Sequence, residues 1–404
     1  MYINRAIEKT ILEIERTFPV VLLTGPRQVG KTTLLQHLSK KTRKYVTLDD
    51  PMNRDLAISD PGLFIQKFEP PLMIDEVQYA PSLFPYIKMY VDQHKQMGDF
   101  WLTGSQMFVM MKNVSESLAG RVGIVQMLGL SNNEIMKQPS KPFSMDITEL
   151  KQKSKLGKKQ KIMDLFTRIF TGSMPSLFER NMPLETFFSS YIQSYLQRDI
   201  KELTQVGDEL TFLKFLIAVA ARTSQILNYA EISRDIGVSQ PTVKQWLSIL
   251  IASGMVYLVE PYYNNVLKRS IKSPKVYFLD TGLCSYLIKW TSPESLEAGA
   301  MSGSIFETYV VGEIIKSYFN AGKRPPLYFY RDKEQREIDL ILFSNDTLFP
   351  IEIKKSSNPS KEAIQHFALL NKSGKPIGTG GIICLYNDLV PIDGNNWIIP
   401  VGLI

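Results

Sequence analysis

Cysteine and histidine are almost missing from this chain of 404 residues, which holds two of the first and three of the second. Cys284 and Cys384 stand far apart, so neither a disulfide framework nor a thiolate zinc site is available. That usage suits a reducing compartment, and a cytoplasmic location is expected. His37, His94 and His366 are scattered, which argues against a histidine-based metal centre. No apolar run comes near the ~20 residues that span a bilayer, and the opening MYINRAIEKTILEIE has no signal-peptide core. No membrane partner is expected. Internal repeats are lacking too, and low complexity is confined to one lysine stretch.

What is present is the composition of a globular protein, 44% hydrophobic and 22% charged. The length exceeds one ordinary core and predicts two or three domains. The net charge of +7 is uneven: KQKSKLGKKQK (151–161) carries six lysines and no acid. It reads as a solvated linker or as a phosphate-contacting tether.

Residues 1–150 alternate short apolar strands with helical stretches. PVVLLTG (19–25), KYVTLDD (44–50), PLMIDE (71–76), FWLTGS (100–105) and GIVQMLGL (123–130) predict buried strands. That alternation predicts an α/β domain with a parallel sheet covered by helices. The lysine stretch and a mostly helical segment follow, over 151–222. In 223–300, Gly237 suits a helix C-cap, Ser239 an N-cap and Pro241 the first turn of the next helix. This is a helix-turn-helix pattern, and MVYLVE with KVYFLD would form a wing. Residues 301–404 read helix, three strands, helix, strand.

GPRQVGKT (25–32) fits G-x-x-x-x-G-K-[ST] between an apolar strand and a helix. Gly25, Pro26, Arg27, Gln28, Val29, Gly30, Lys31, Thr32 and Thr33 are the expected nucleotide-binding residues. Glycines let backbone N–H groups face phosphate oxygens, and the helix N-terminus adds positive potential. Lys31 would reach the β- and γ-phosphates and Thr32 would place its hydroxyl on Mg²⁺. PLMIDE ends a strand in two acids, Asp75 to hold Mg²⁺ and Glu76 to orient and polarise the attacking water. Thr103 and Ser105 end a further strand, where a polar side chain can sense the γ-phosphate or simply make a turn. Arg121 is the arginine-finger candidate, in cis or on a neighbouring subunit, with a surface arginine as the alternative.

LLTGPRQVGKTTLL, IDEVQYAPSLFPYIK, LTGSQ and SLAGR, with GMVYLVEPY, KVYFLDTGL, GSIFETYVVGEI and IEIKKS, resemble the prokaryotic AAA-like P-loop ATPases that carry a C-terminal domain of unknown function. The resemblance implies ATP binding, an additional-strand P-loop fold, a winged helix and a restriction-nuclease-like C-terminal domain. It implies neither a settled role nor a hexameric ring, and self-association stays open.

EIDLILFSNDTLFPIEIKK (337–355) is the second constellation. Asp339 sits on one strand; Glu352 and Lys354, two apart on the next, share a face. Glu307 on the preceding helix can complete a cluster that binds Mg²⁺ and activates water, with Lys354 stabilising developing charge. The group resembles PD-(D/E)-x-K nucleases, with Ile338 in place of proline, and it suits equally a retained fold with a dead centre. Gln240, Thr242, Lys244 and Gln245, with Lys268, Arg269, Lys272 and Lys275 of the wing, would contact DNA. Alternatively Trp246, Leu247 and Leu250 bury that helix on the ATPase as a lid. The expected function is a Mg-dependent ATPase acting as a nucleotide-driven switch. An ATP-gated nuclease and a DNA-binding regulator are the alternatives.

Overall fold

A computed structural model describes residues 2–39, 42–104, 114, 116–156, 160–180, 182–196, 209–263 and 272–404. Its first sheet contains β1 (Val20–Thr24), β2 (Lys44–Thr47), β3 (Leu72–Asp75), β4 (Phe100–Gly104) and β5 (Val122–Gln126). Every neighbouring pair is parallel, in the order β2-β3-β4-β1-β5. These are the five segments that read as strands; β1, β3 and β4 are buried throughout as expected, whereas the edge strand β2 exposes Lys44 and Tyr45 and the opposite edge strand β5 exposes Ile124. The reason is visible along β1. Val21 and Leu23 enter the largest core, whereas Val20 and Leu22 enter a second core with Phe64 and Phe84. A strand covered on both faces must be apolar at every position. Because β1 lies between β4 and β5, the loop that follows it opens in the interior of the sheet's carboxyl edge.

The lysine stretch differs from a linker. Its first part belongs to the helix Ile147–Leu156. Lysine is a fair helix former, Leu150 is buried, and the Lys151 ammonium lies 4.8 Å above the Trp397 ring. Residues 157–159 lie outside the described residues. Helices Ile162–Thr171, Ser176–Glu179, Leu184–Tyr195 and Glu209–Ala220 then supply the expected helical segment.

Helices Tyr229–Ile236 and Gln240–Ala252 are joined by a short turn in which Gly237 is left-handed (φ 73°) and the Ser239 hydroxyl accepts from Thr242 N–H. Strands β6 (Gln225–Ile226), β7 (Val256–Pro261) and β8 (Lys275–Phe278) pair antiparallel beside them. After the helix Ser302–Asn320 come β9 (Leu327–Arg331), β10 (Glu337–Ser344) and β11 (Thr347–Lys354), an antiparallel meander. A 3-10 helix, Lys361–Ser373, leads to β12 (Gly380–Cys384), parallel to β11; β13 (Val390–Pro391) and β14 (Asn396–Pro400) close the order.

The β7–β8 hairpin does not stand apart. Strand β7 pairs in parallel with β9, Glu260 opposite Tyr328, so both groups form one nine-stranded sheet, β13-β14-β12-β11-β10-β9-β7-β8-β6. Burial unites the molecule further. Val21 and Trp101 of the first sheet, Phe212 and Leu250 of the helical region and Ile314 of the long helix share one core.

Candidate functional site

The loop after β1 is shaped by its glycines. Gly25 has φ +139°, and a Cβ there would stand 2.0 Å from the Met127 carbonyl oxygen. Gly30 has φ +89° and Gln28 is left-handed at 61°. Pro26 and Val29 are buried, Arg27 is half-buried and Thr33 is exposed. The helix Lys31–Ser39 starts at once, and the first N–H groups of a helix have no partner within it. Lys31 is buried, its ammonium donating to the carbonyls of Gly25 (2.9 Å) and Pro26 (2.8 Å). A cavity of about 240 Å³ adjoins the loop, lined by Tyr2, Ile3, Gln28, Gly30, Thr33 and Pro175.

Asp75, buried at the tip of β3, gathers the neighbouring hydroxyls. Thr32 Oγ1 lies 2.9 and 3.0 Å from its two carboxylate oxygens. The Thr103 hydroxyl donates to the same carboxylate and accepts from Glu76 N–H at 3.3 Å. Tyr45 Oη donates to it at 3.1 Å, and burial together with the Asp75 charge pushes the phenol up to about 12. Glu76 is left-handed (φ 56°), and its carboxylate accepts from Gln78 Nε2. Hydroxyl and carboxylate oxygens are the hard donors that Mg²⁺ takes. These residues therefore fit a magnesium-bound nucleotide. Ser105 lies outside the described residues.

Arg121 is not part of this constellation. Strands β1 and β5 run parallel with Val20 opposite Val122 and Thr24 opposite Gln126. Arg121 thus stands at the amino edge, roughly 16 Å from the phosphate loop at about 3.3 Å per residue. Its guanidinium forms a fork on Asp92, at 2.6 and 3.0 Å. The length of β1 removes the arginine finger in cis.

In the carboxyl-terminal sheet, Lys354 Nζ bridges Glu352 Oε2 (2.7 Å) and Asp339 Oδ2 (3.2 Å). Asp339 Oδ2 also accepts from Ile353 N–H at 2.9 Å. Burial first, then the Asp339 charge, pushes Glu352 up to about 8. Asp339 is held below its usual range: burial works the other way, and Lys275 and Lys354 outweigh it. Glu307 turns towards a different group. Its carboxylate accepts from Tyr277 Oη (2.7 Å) and Lys275 Nζ (3.2 Å), and burial pushes it up to about 7 against the pull of Lys275. Among the described residues no group of three or more His, Cys, Asp or Glu is placed to hold a metal.

Lys275 is itself a correction. Read as a wing residue for phosphate, it is 2% exposed and bridges Glu307 and Glu337, the latter at 2.6 Å. Tertiary burial withdraws it from any surface contact. Lys272 is exposed, while Lys268 and Arg269 lie outside the described residues. On the helix Gln240–Ala252, Gln240, Lys244 and Gln245 are exposed and Thr242 is half-buried. Trp246 packs on Phe212 (5.1 Å) and Phe215 (5.5 Å) of the helix Glu209–Ala220, and Leu247 and Leu250 enter the core that also holds Val21 and Trp101 of the first sheet.

An AAA domain family matches residues 17–136. Two domain families of unknown function match 162–294 and 302–404. Uncharacterized proteins of Mycobacterium tuberculosis and Mycobacterium bovis are each 30% identical over 357 residues, 87% of this chain and 74% of theirs. The chain belongs with them in one family, and its own residues 17–136 make it an AAA-like P-loop ATPase. Among solved structures, the Walker-type ATPase of Pyrococcus abyssi is 14% identical at TM-score 0.43, covering 70% of this chain and 94% of that one. The RuvB Holliday junction branch migration motor of Thermotoga maritima is 15% identical at TM-score 0.31, covering 62% and 88%. Likeness at that distance says nothing of ligand or partner.

The AAA domain also carries a support that motif reading missed. Arg5, 5% exposed, donates to Glu134 Oε1 (2.9 Å) and to the carbonyls of Val29 (2.9 Å) and Leu128 (2.8 Å). Burial alone would raise Glu134; Arg5 and the N–H groups of Ser131 and Ala6 hold it below its ordinary value. The Ser131-x-x-Glu134 capping box was legible as a pattern. Arg5 had no local signal, because its partners lie up to 129 positions away.

Proposed function

We propose that this ATPase hydrolyses ATP with Mg²⁺ at the loop 25–33 and uses the cycle to reseat its carboxyl-terminal region on the AAA domain. The hydrogen-bonded set Thr32–Asp75–Thr103 carries the reading. It puts the expected ion-holding hydroxyl and carboxylate in contact, and ties both to the backbone of Glu76. Lys31 would exchange the carbonyls of Gly25 and Pro26 for the β- and γ-phosphates. Thr32 and Asp75 would hold Mg²⁺, which supplies charge neutralisation of the phosphates when bound. Glu76 would orient and polarise water, and Thr103 would register the γ-phosphate between the two acids. The cavity beside Tyr2 and Thr33 would take the base.

The coupling rests on contacts between the loop's surroundings and the rest of the chain. Gly254, in the turn before β7, sits so close to Pro26 that an added Cβ would lie 3.0 Å from the proline ring. Glu313 and Lys316 of the long helix hold Asn132 N–H (2.7 Å) and the Leu130 carbonyl (3.1 Å). The test is ATP turnover and calorimetric binding. Lys31→Ala abolishes nucleotide binding or turnover, and Glu76→Gln binds ATP but hydrolyses it at least about a hundredfold more slowly. Wild-type turnover in Glu76→Gln removes it from the base role; no nucleotide heat from the folded wild type sinks the proposal.

A second reading, a winged-helix DNA contact, is favoured by the exposed polar face of Gln240–Ala252. Affinity for duplex DNA that stays flat with salt rejects it. The remaining finer reading takes 301–404 as a nuclease-like domain, on the order helix, antiparallel β9–β10–β11, helix, parallel β12.

A further inference from the structure

The nuclease-like reading implies a divalent ion among Glu307, Asp339 and Glu352, and the residues present do not fit one. Lys275 Nζ lies 3.2 Å from Glu307 and 2.6 Å from Glu337. Glu307 Oε1 accepts from Tyr277 as well, and Glu337 Oε2 faces Arg331 at 3.3 Å. Lys354 draws in Asp339 and Glu352. A hard divalent ion takes six or more oxygens, and here one oxygen of each carboxylate is already directed at an ammonium group. A dication beside a buried ammonium would also be repelled at low effective dielectric.

The two lysines differ in freedom. The Lys354 side chain is 43% exposed and can leave its partners. Lys275 has a 3% exposed side chain, sits in the paired strand β8 opposite Val259, and runs beside the Phe329 ring at 5.6 Å. Its chain position matters: β8 belongs to the hairpin, Glu307 to the long helix and Glu337 to β10. One ammonium therefore joins three elements.

We infer that Lys275 is the buried resident cation of this cluster: it takes carboxylate oxygens of Glu307 and Glu337 while Lys354 takes those of Asp339 and Glu352, so that the centre is a charge-compensated joint and not a metal site. The buried Glu352 Oε1 has no hydrogen-bond partner and marks the side from which the joint is incomplete, while Lys354 holds the other oxygen of that carboxylate at 2.7 Å.

Manganese titration followed by electron paramagnetic resonance on the 404-residue chain without nucleotide tests this apart from any ATPase activity. Wild type and Asp339→Asn should take up Mn²⁺ indistinguishably, and Glu352→Gln should match them. Lys275→Gln should gain a site at least about tenfold tighter than any wild-type binding at the cluster, lost again in Lys275→Gln with Asp339→Asn. A wild-type Mn²⁺ site that vanishes in Asp339→Asn or Glu352→Gln overturns the inference. So does a Lys275→Gln protein with wild-type circular dichroism and no added site. If Lys275→Gln does not fold, the comparison of wild type with the two acid variants decides alone.

Discussion

Arg5 shows how much a single side chain can carry without belonging to any motif. Its guanidinium is buried against Glu134 and two carbonyls, one of them Val29 within the phosphate loop. Removing one partner of a buried pair strands the other charge, which costs about 3–5 kcal/mol. Arg5→Ala should lower the thermal midpoint markedly, and nucleotide affinity with it; a midpoint within error of wild type would mean the pair is not structural. Lys31, Thr32 and Asp75 were legible because a phosphate loop has fixed spacing and chemistry. Arg5 and Tyr45 were not, since their partners are set by which strands become neighbours. The cis role for Arg121 fails for the same reason: sequence puts it before a strand, and only strand direction says at which edge.

At the scale of elements, period and capping were good guides. The five apolar runs are strands, Gly237 ends one helix and Ser239 starts the next. The destination of an amphipathic face was harder. Trp246 packs on Phe212 and Phe215, so Trp246→Ala should destabilise by about 3–5 kcal/mol, measured by denaturant unfolding. Lys244, exposed on the opposite side, should leave stability unchanged when replaced by alanine. If the helix meets DNA, that variant also reduces the salt slope by about one charge. The lysine stretch misled because charge density resembles a linker, while its first residues continue a helix anchored by Leu150.

Across the whole molecule, the acidic cluster makes stability depend on pH. Glu352 and Glu307 are raised above the ordinary 4.5, to about 8 and about 7. The folded chain therefore holds protons that the unfolded chain releases, and this contribution is full below 4.5 and is lost as pH rises through the folded values. Asp339, held low, acts only below its ordinary value. The thermal midpoint should fall between pH 4.5 and about 8, and Glu352→Gln should flatten part of that slope. An unchanged slope in the variant would mean that Glu352 is ionised throughout.

By itself the sequence determined the phosphate loop, the parallel sheet around it and the order of elements after it, because spacing, periodicity and capping are local properties of a chain. Tertiary structure alone decided that the hairpin and the carboxyl-terminal strands form one sheet, that Arg121 faces away from the loop, and that Lys275 is buried among carboxylates. Those outcomes depend on which distant segments pair and on how burial changes the meaning of a charge, and neither is written in neighbouring residues.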